Sequence, residues 1–374
     1  MINTVLFDID GVLLSEERCF DASALAVWEL IHSPSYLGVI SDSFTTDLDE
    51  PAIRRIREHI FDDDRILKFM KDRGLNSNWD MVFLAFSYQL IQLMAQAQSN
   101  KRAETAKLIS GDIDHHTLDK IGDALPTHVK PSFATFIKDF ETCPVGEDRL
   151  FQHLNELAYQ KLGVSASFSR DNALWEIGRG AYQEWYVGDQ YVEKAMGKKA
   201  FQPGKKGFLH DERALAPKEE IAQLFHSLKQ KGLTLGIGTG RPDIETYEPL
   251  NTLGVTPFVD QQRIVTSDDA LRAEVSTLTV ESLGKPHPYT YLQGYFGKRV
   301  DASTVLNTPL PLPNAKDILI VGDSVADALA AQKIGARFAA VLTGLTGKEA
   351  RRTFEQLNAD DILDNVCEMP TILV

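Results

Sequence analysis

The chain has 374 residues, of which 43% are hydrophobic and 25% charged, a composition typical of a globular protein long enough for two domains. Its formal net charge is −14, and this acidic excess argues against nucleic-acid and anionic-membrane partners. Three widely spaced cysteines favour neither a disulfide framework nor a zinc site, and no basic segment precedes the first apolar run. We therefore expect a cytoplasmic protein without nucleic-acid or membrane partners; its oligomeric state is left open.

The first predicted element is a strand at about residues 2–8, which leads directly into two carboxylates, Asp8 and Asp10. Its short apolar run is typical of a buried strand in a parallel sheet. Burying an ionised carboxylate without a partner is costly. We therefore expect the strand to end at Asp8, with Gly11 turning the chain away.

The next region, residues 15–213, carries almost no strand signal and is expected to form a mainly helical domain. Its most apolar segment, residues 81–95, is interrupted by polar residues and is too short to cross a membrane, so it is interpreted as a core helix. Apolar residues recur there at helical spacing, at Phe83, Phe86, Leu90, Leu93 and Met94. The predicted helices cover residues 18–32, 51–73, 78–98, 102–123, 147–163 and 171–196.

From about residue 214 the predicted helices and strands alternate, which indicates a parallel sheet with helices on both faces. In chain order they are helix 216–231, strand 233–238, helix 243–254, strand 263–266, strand 317–321, helix 324–334 and strand 337–342. The strand at 2–8 needs partners and therefore belongs to this sheet. The prediction is an α/β core of residues 1–14 and 214–374, with residues 15–213 inserted after the first strand, over the strand ends where such sheets bind ligands.

Four short motifs fall at these strand ends or in adjacent loops. They are DIDGV (8–12), GIGTGRP (236–242), GKPHP (284–288) and ILIVGDSVAD (318–327). Each has a structural interpretation of its own: Thr239 could cap a helix, Lys285 could be a surface residue, and Asp327 could be an acid favoured by a helix dipole. Taken together, three carboxylates, a hydroxyl and a lysine predict a site for Mg²⁺ and a phosphoryl group.

The four motifs, in this order, resemble those of the haloacid dehalogenase (HAD) superfamily. The resemblance covers residues 1–14 and 214–374 and implies a Rossmann-like parallel sheet. It also implies that residues 15–213 form a cap domain, larger than the usual helical cap of this superfamily. The acid at Asp10 is similar to that of the phosphatase branch, because dehalogenases lack it and transport ATPases carry a threonine there.

The resemblance implies that Asp8 is the nucleophile, which forms an aspartyl-phosphate, and that Asp10 is the general acid and then the general base. It implies a Mg²⁺ site made by Asp8, the backbone carbonyl of Asp10, and Asp323. Asp327 would bind the metal directly or hold its water, and we favour the second role.

The resemblance also assigns the phosphoryl oxygens to the Thr239 hydroxyl and the following amide, that of Gly240, with Lys285 neutralising their charge. The leading hypothesis is a Mg²⁺-dependent phosphatase acting on a small phosphorylated metabolite, because caps in this superfamily usually restrict the site to small substrates. A phosphomutase stays open as an alternative.

A phosphonate hydrolase would need a cap lysine, and no motif surrounds Lys161, Lys194, Lys198 or Lys199. A non-catalytic binding module is disfavoured, because every catalytic role is filled. Five cap arginines are candidates for contacting substrate, although a surface role is commoner for each. They are Arg18, Arg54, Arg55, Arg170 and Arg179.

Overall fold

The computed structural model describes residues 2–40, 44–75, 77–97 and 106–373. It separates the chain into two compact units. Met1–Glu16 and Leu209–Val374 form the first, here called the sheet unit, and Glu17–Phe208 form the second, the helical unit. The boundaries expected from the sequence, 14/15 and 213/214, are two and five residues away from these.

The sheet unit is built on six parallel strands in the order β3-β2-β1-β4-β5-β6. The strands are β1 (Thr4–Phe7), β2 (Thr234–Gly238), β3 (Ile264–Val265), β4 (Ile318–Gly322), β5 (Arg337–Val341) and β6 (Asp361–Leu363). Side chains of β1 alternate between two hydrophobic clusters: Val5 and Phe7 belong to one, and Leu6 to the other. The predicted α/β class with a parallel sheet is confirmed.

Seven helices of the described sheet unit connect and cover these strands. They are Lys218–Gln230, Asp243–Thr252, Ser267–Thr277, Tyr289–Phe296, Ala302–Leu306, Val325–Ile334 and Arg351–Gln356. All five predicted strands are present. The sixth, β6, was not predicted, because three residues that begin with Asp361 are too few to show an alternating apolar pattern.

The register of the sheet brings the ends of its central strands to one edge. Phe7 of β1 is paired with Ile237 on one side and Val321 on the other. Because the strands are parallel, the residues that follow them emerge at the same edge. Asp8, Thr239 and Asp323, each one or two residues beyond these pairs, therefore share that edge.

The helical unit packs around two long helices. Glu17–His32 packs against Glu50–Phe61, Asn78–Ala95 and Ala173–Val187, and Asn78–Ala95 also packs against Glu147–Leu162. The predicted apolar stripe of Asn78–Ala95 is entirely buried, and so are most of its other residues, as expected for a central helix. The other helices of this unit that lie wholly within the described residues are Arg65–Asp72, His115–Ala124, Phe136–Asp139 and Asp189–Met196. In the described parts of the chain, no helix combines the length and apolar character needed to cross a membrane.

Two predicted helices are interrupted, and the prediction of continuous helices was wrong there. Helix 51–73 breaks at residues 62–64, three aspartates with positive φ angles of 51°, 54° and 64°. Helix 171–196 breaks at Gly188, whose φ is 71°. A side chain at Gly188 would place its Cβ 2.4 Å from the carbonyl oxygen of Lys206, so only glycine fits this turn.

Two further predicted helices extend beyond the described residues. Residue 98 of helix 78–98 and residues 102–105 of helix 102–123 lie outside them. In the described part of the second, residues 106–108 are helical, residues 109–114 are not, and a new helix begins at His115, so the prediction of one continuous helix was wrong there too. The Asp114 side chain caps this helix by accepting a hydrogen bond of 2.8 Å from the backbone N–H of Thr117.

Candidate active site

Asp8 directly follows β1 and is buried, with 4% of its surface exposed. Its backbone N–H extends the sheet by donating to the carbonyl of Val321, 2.9 Å away. One carboxylate oxygen accepts the backbone N–H of Ile9 at 2.8 Å, and the other lies 2.5 Å from Nζ of Lys285. Burial raises the pKa of Asp8 to about 7, although Lys285 opposes the rise. Asp8 is thus a carboxylate whose ionisation depends on neighbouring cations.

Lys285 precedes helix Tyr289–Phe296 and is also buried. Its Nζ contacts Oδ2 of Asp8 at 2.5 Å and Oδ1 of Asp327 at 2.9 Å. Burial alone would lower the pKa of Lys285, but the carboxylates of Asp327 and Asp8 hold it above its ordinary value. The structure therefore places a permanent cation next to Asp8.

Asp327 is fully buried in the first turn of helix Val325–Ile334 and combines two roles. Its Oδ2 accepts the hydroxyl of Ser324 at 2.7 Å and the backbone N–H of Ser324 at 3.2 Å, in a capping box. Its Oδ1 accepts the hydroxyl of Tyr291 at 2.6 Å and contacts Lys285. A carboxylate has about four acceptor positions, and these four donors fill them.

Asp323 follows β4 and is half-buried. Oxygen atoms of Asp8, Asp323 and Asp327 all lie within 4.8 Å of one another. Carboxylate oxygens are the ligands that hard divalent cations such as Mg²⁺ prefer. The cluster holds three carboxylates and one lysine, so it carries more negative than positive charge when all are ionised. The donor set and this excess charge fit a divalent cation.

Asp10 is not part of that cluster in this structure; it is paired with Arg241. Nε and Nη2 of Arg241 lie 2.9 Å and 2.6 Å from the two oxygens of Asp10. Nη1 of Arg241 donates to Glu212 at 2.6 Å and to the carbonyl of Glu245 at 3.1 Å. Arg241 is buried, with 4% of its surface exposed. This two-nitrogen contact fixes the position of Asp10.

Arg241 was not predicted as a functional residue, although it lies in the quoted GIGTGRP motif. Its predicted neighbours Thr239 and Gly240 follow β2 at the same sheet edge as Asp8. Thr239 is buried, and its Oγ1 accepts the backbone N–H of Arg241 at 3.2 Å, which leaves the hydroxyl hydrogen for another acceptor. Gly240 is exposed, and a Cβ there would meet no atom within 4 Å.

Four of the five candidate arginines of the helical unit form ion pairs inside that unit. The pairs are Arg18 with Asp21 and Glu50, Arg54 with Glu17, Arg170 with Asp80, and Arg179 with Glu176. These contacts explain their charges without a ligand. Arg55 is exposed on helix Glu50–Phe61.

Comparison with known proteins decides the family. A family model described as HAD-hydrolase-like matches residues 282–369, which contain Lys285, Asp323 and Asp327. Over its whole length the chain is similar to an X-ray structure from the Northeast Structural Genomics Consortium, with 37% identity, 100% of this chain and 98% of that chain covered, and a TM-score of 0.79. The chain belongs to the haloacid dehalogenase superfamily.

Two other solved structures are more distant from this HAD-superfamily protein. A hydrolase from Pseudomonas syringae is 15% identical, with 99% of this chain and 97% of that chain covered and a TM-score of 0.36. A HAD family hydrolase from Deinococcus radiodurans, solved with bound phosphate and sodium, is 13% identical, with 100% and 95% covered and a TM-score of 0.41. No curated protein matches the sequence. The matching family model makes hydrolase chemistry the general activity class.

Proposed function

We propose that this HAD-superfamily protein is a cytoplasmic, Mg²⁺-dependent phosphatase that hydrolyses a small phosphorylated metabolite. The proposal rests on one observation, the groups that surround Asp8. Asp8 is a buried carboxylate at a strand end, in contact with the buried cation Lys285 and clustered with Asp323 and Asp327. A nucleophile, a cation and further hard oxygen ligands within a few ångströms are the groups that phosphoryl transfer requires.

In the first step, an oxygen of Asp8 attacks phosphorus while the bond to the leaving oxygen breaks, which gives an aspartyl-phosphate. Lys285 offsets the negative charge on the phosphoryl oxygens, and the Thr239 hydroxyl and Gly240 amide bind them. Bound Mg²⁺ would supply positive charge between Asp8 and the phosphoryl group, which otherwise repel each other. In the second step, water attacks the same phosphorus and Asp8 is released.

The number of hydrogen-bond donors around Asp327 indicates that the acidic residues have different roles. We assign direct Mg²⁺ contact to Asp8, Asp323 and the backbone carbonyl of Asp10. Asp327 has its four acceptor positions filled by Tyr291, Lys285 and Ser324, so it holds Lys285 in place and does not contact the metal itself.

Asp10 supplies the proton transfers in this proposal. It protonates the leaving oxygen in the first step and deprotonates water in the second. In this structure both oxygens of Asp10 accept hydrogen bonds from Arg241, so contact with the leaving oxygen requires Asp10 to separate from Arg241.

The test is phosphate release from p-nitrophenyl phosphate, with Mg²⁺ and with EDTA. We expect turnover by the wild type only with Mg²⁺, and a loss of about 10⁴-fold or more in Asp8→Asn, because the nucleophile is removed. Asp148→Asn, which changes an exposed carboxylate of the helical unit, is the matched control and should be unaffected.

Other outcomes separate the alternatives. Metal-independent turnover, or full activity in Asp8→Asn, contradicts the proposal. Transfer of phosphate to a second hydroxyl without release identifies a phosphomutase. Mg²⁺ binding without turnover of any phosphate ester across a panel of sugar phosphates, phosphoglycolate and nucleotides identifies a binding module.

A further inference from the structure

The loop that follows β5 lies outside the four sequence motifs, yet it makes two contacts with the candidate active site. Oγ1 of Thr343 donates a hydrogen bond of 2.5 Å to the backbone carbonyl of Gly11, in the turn after Asp8. The next residue, Gly344, lies against the carboxylate of Asp323. This loop therefore contacts both the turn after the nucleophile and a candidate metal ligand.

The carboxylate of Asp323 lies between two glycines. A Cβ built on Gly344 would be 1.9 Å from Oδ2 of Asp323, and one built on Gly11 would be 2.2 Å from the same oxygen. Real Cβ atoms essentially never approach another atom closer than 3.0 Å. Asp323 can therefore hold its carboxylate next to Asp8 only while both of these positions lack a side chain.

We propose that Gly344 is a positioning residue for the metal ligand Asp323. By leaving room for the carboxylate, Gly344 keeps Asp323 within reach of the cation that Asp8 also binds. The inference rests on the proposed function in one respect, namely that a divalent cation binds at this cluster. It assigns a site role to the loop after β5, a segment outside the four motifs.

Two glycines of this loop separate the effect of space from that of backbone conformation. The φ angle of Gly344 lies outside the left-handed region, so alanine there changes the available space without straining the backbone. Gly347 is the reverse case: its φ is +57°, and a Cβ there would meet nothing within 4 Å. Gly347→Ala is therefore a matched control that strains the same loop without approaching Asp323.

The experiment measures binding of Mg²⁺ alone by isothermal titration calorimetry, with thermal unfolding of the metal-free protein alongside. We expect Gly344→Ala to weaken Mg²⁺ binding by about 10- to 100-fold, as changes around metal ligands typically do. Gly347→Ala should lower the melting temperature and leave Mg²⁺ affinity within about twofold of wild type.

A double-mutant cycle with Asp323→Ala tests the mechanism. If Gly344→Ala acts through the Asp323 carboxylate, it should have no further effect on Mg²⁺ affinity in the Asp323→Ala background. If Gly344→Ala alone does not fold, the double variant should fold, because Oδ2 and Cγ of Asp323, the two atoms closer than 3.0 Å, are removed and only Cβ remains at 3.1 Å. Its failure to fold would overturn the proposal.

The remaining outcomes distinguish this inference from the proposed function. Wild-type Mg²⁺ affinity in Gly344→Ala overturns the positioning role and leaves the phosphatase proposal standing. An effect of Gly344→Ala that persists undiminished without the Asp323 carboxylate also overturns it. A wild-type protein that binds no Mg²⁺ overturns both the metal site and the role of Gly344.

Discussion

Both units of the molecule bury a lysine between two carboxylates, and the two clusters differ in what surrounds them. In the helical unit, Nζ of Lys205 lies 3.0 Å from Glu29 and 2.6 Å from Glu184. It also donates to the carbonyl of Gln202 at 2.8 Å, so its three N–H groups all have partners. Trp185 donates to the other oxygen of Glu29 at 2.6 Å. All three charged side chains are at most 3% exposed.

In the sheet unit, Lys285 lies between Asp8 and Asp327 in nearly the same way. The difference is a third carboxylate, Asp323, which is half-buried and has an oxygen within 4.8 Å of oxygens of Asp8 and Asp327. Burial raises the pKa of Asp8 and of Glu29 to about 7 alike, so the shifted pKa does not distinguish the two clusters. What distinguishes them is Asp323, an additional carboxylate that is accessible to solvent and leaves the cluster with excess negative charge for a cation to bind.

The largest expected effect concerns the cluster of Lys205, Glu29 and Glu184 in the helical unit, and tests whether this cluster stabilises the fold. Lys205→Met should lower the free energy of unfolding by about 3–5 kcal/mol, because Glu29 and Glu184 lose their buried cation. The neighbouring variant Lys206→Met is the control: its side chain is 80% exposed and pairs with Asp47 at 2.7 Å. Solvent screens this surface pair, so Lys206→Met should leave the free energy of unfolding nearly unchanged. Urea denaturation of both variants measures the difference, and equal losses would refute the comparison.

The next effect tests whether the sheet cluster serves the reaction. Lys285→Met should lower kcat/KM by about 10²- to 10³-fold, because the cation that faces the phosphoryl charge is removed. Lys348→Met, which changes a lysine with 80% side-chain exposure, should leave kcat/KM unchanged. The assay is release of p-nitrophenol with saturating Mg²⁺. If Lys285→Met turns over substrate at nearly the wild-type rate, Lys285 does not take part in the reaction.

A smaller effect concerns the hydrogen bond from Tyr291 to Asp327. Tyr291→Phe should destabilise the metal-free protein by about 1.5–3 kcal/mol, since the lost bond ends on an ionised group. Tyr289→Phe loses a longer hydrogen bond, of 2.9 Å, to the neutral side chain of Gln293. It should cost about 0.5–1.5 kcal/mol. Urea unfolding compares the two, and a larger loss in Tyr289→Phe would argue against an ionised Asp327.

The last expected effect is a pH dependence that arises from Glu29. Its pKa in the folded protein, about 7, lies above the ordinary value of 4.5, so the folded state binds more protons between these values. Stability should therefore fall as the pH rises from about 5 to about 7. Glu29→Gln removes this contribution, so its stability relative to wild type should improve over the same range. The exposed Glu193→Gln is the control, and parallel curves for Glu29→Gln and wild type would contradict the expectation.

The sequence was a good guide to the sheet because its central strands are short apolar runs followed by glycine or acid. The same pattern predicted that Asp8 and Asp323 lie at one edge of the sheet, because residues after parallel strands emerge together. The structure brings Asp327 and Lys285 to the same place, and the roles of all four residues stay predictions. The broken helices were harder to predict. The three aspartates at 62–64 adopt positive φ angles, which aspartate tolerates, but nothing local requires them.

Arg241 and Gly344 show why part of the site escaped prediction. An arginine in a polar loop is usually solvated, and its pairing with Asp10 and Glu212 depends on chain segments that are far apart in sequence. A loop glycine usually indicates a turn. At position 344, glycine is required because Oδ2 of Asp323 occupies the space that a side chain would need. Both roles arise from tertiary neighbours, which periodicity and local propensity do not report.

The point of insertion has a consequence of its own. Residues Leu13–Ser15 and Arg213–Leu215 lie side by side in the sheet unit: Ser15 N–H donates to the Arg213 carbonyl at 2.8 Å, and Leu215 N–H to the Leu13 carbonyl at 3.0 Å. The chain thus leaves and re-enters this unit through adjacent, hydrogen-bonded segments. The entropy of closing such a loop rises by only about 0.6 kcal/mol for each doubling of its length. Because the two ends of the insert are already held together within the sheet unit, a change in the length of the insert should cost little additional closure entropy.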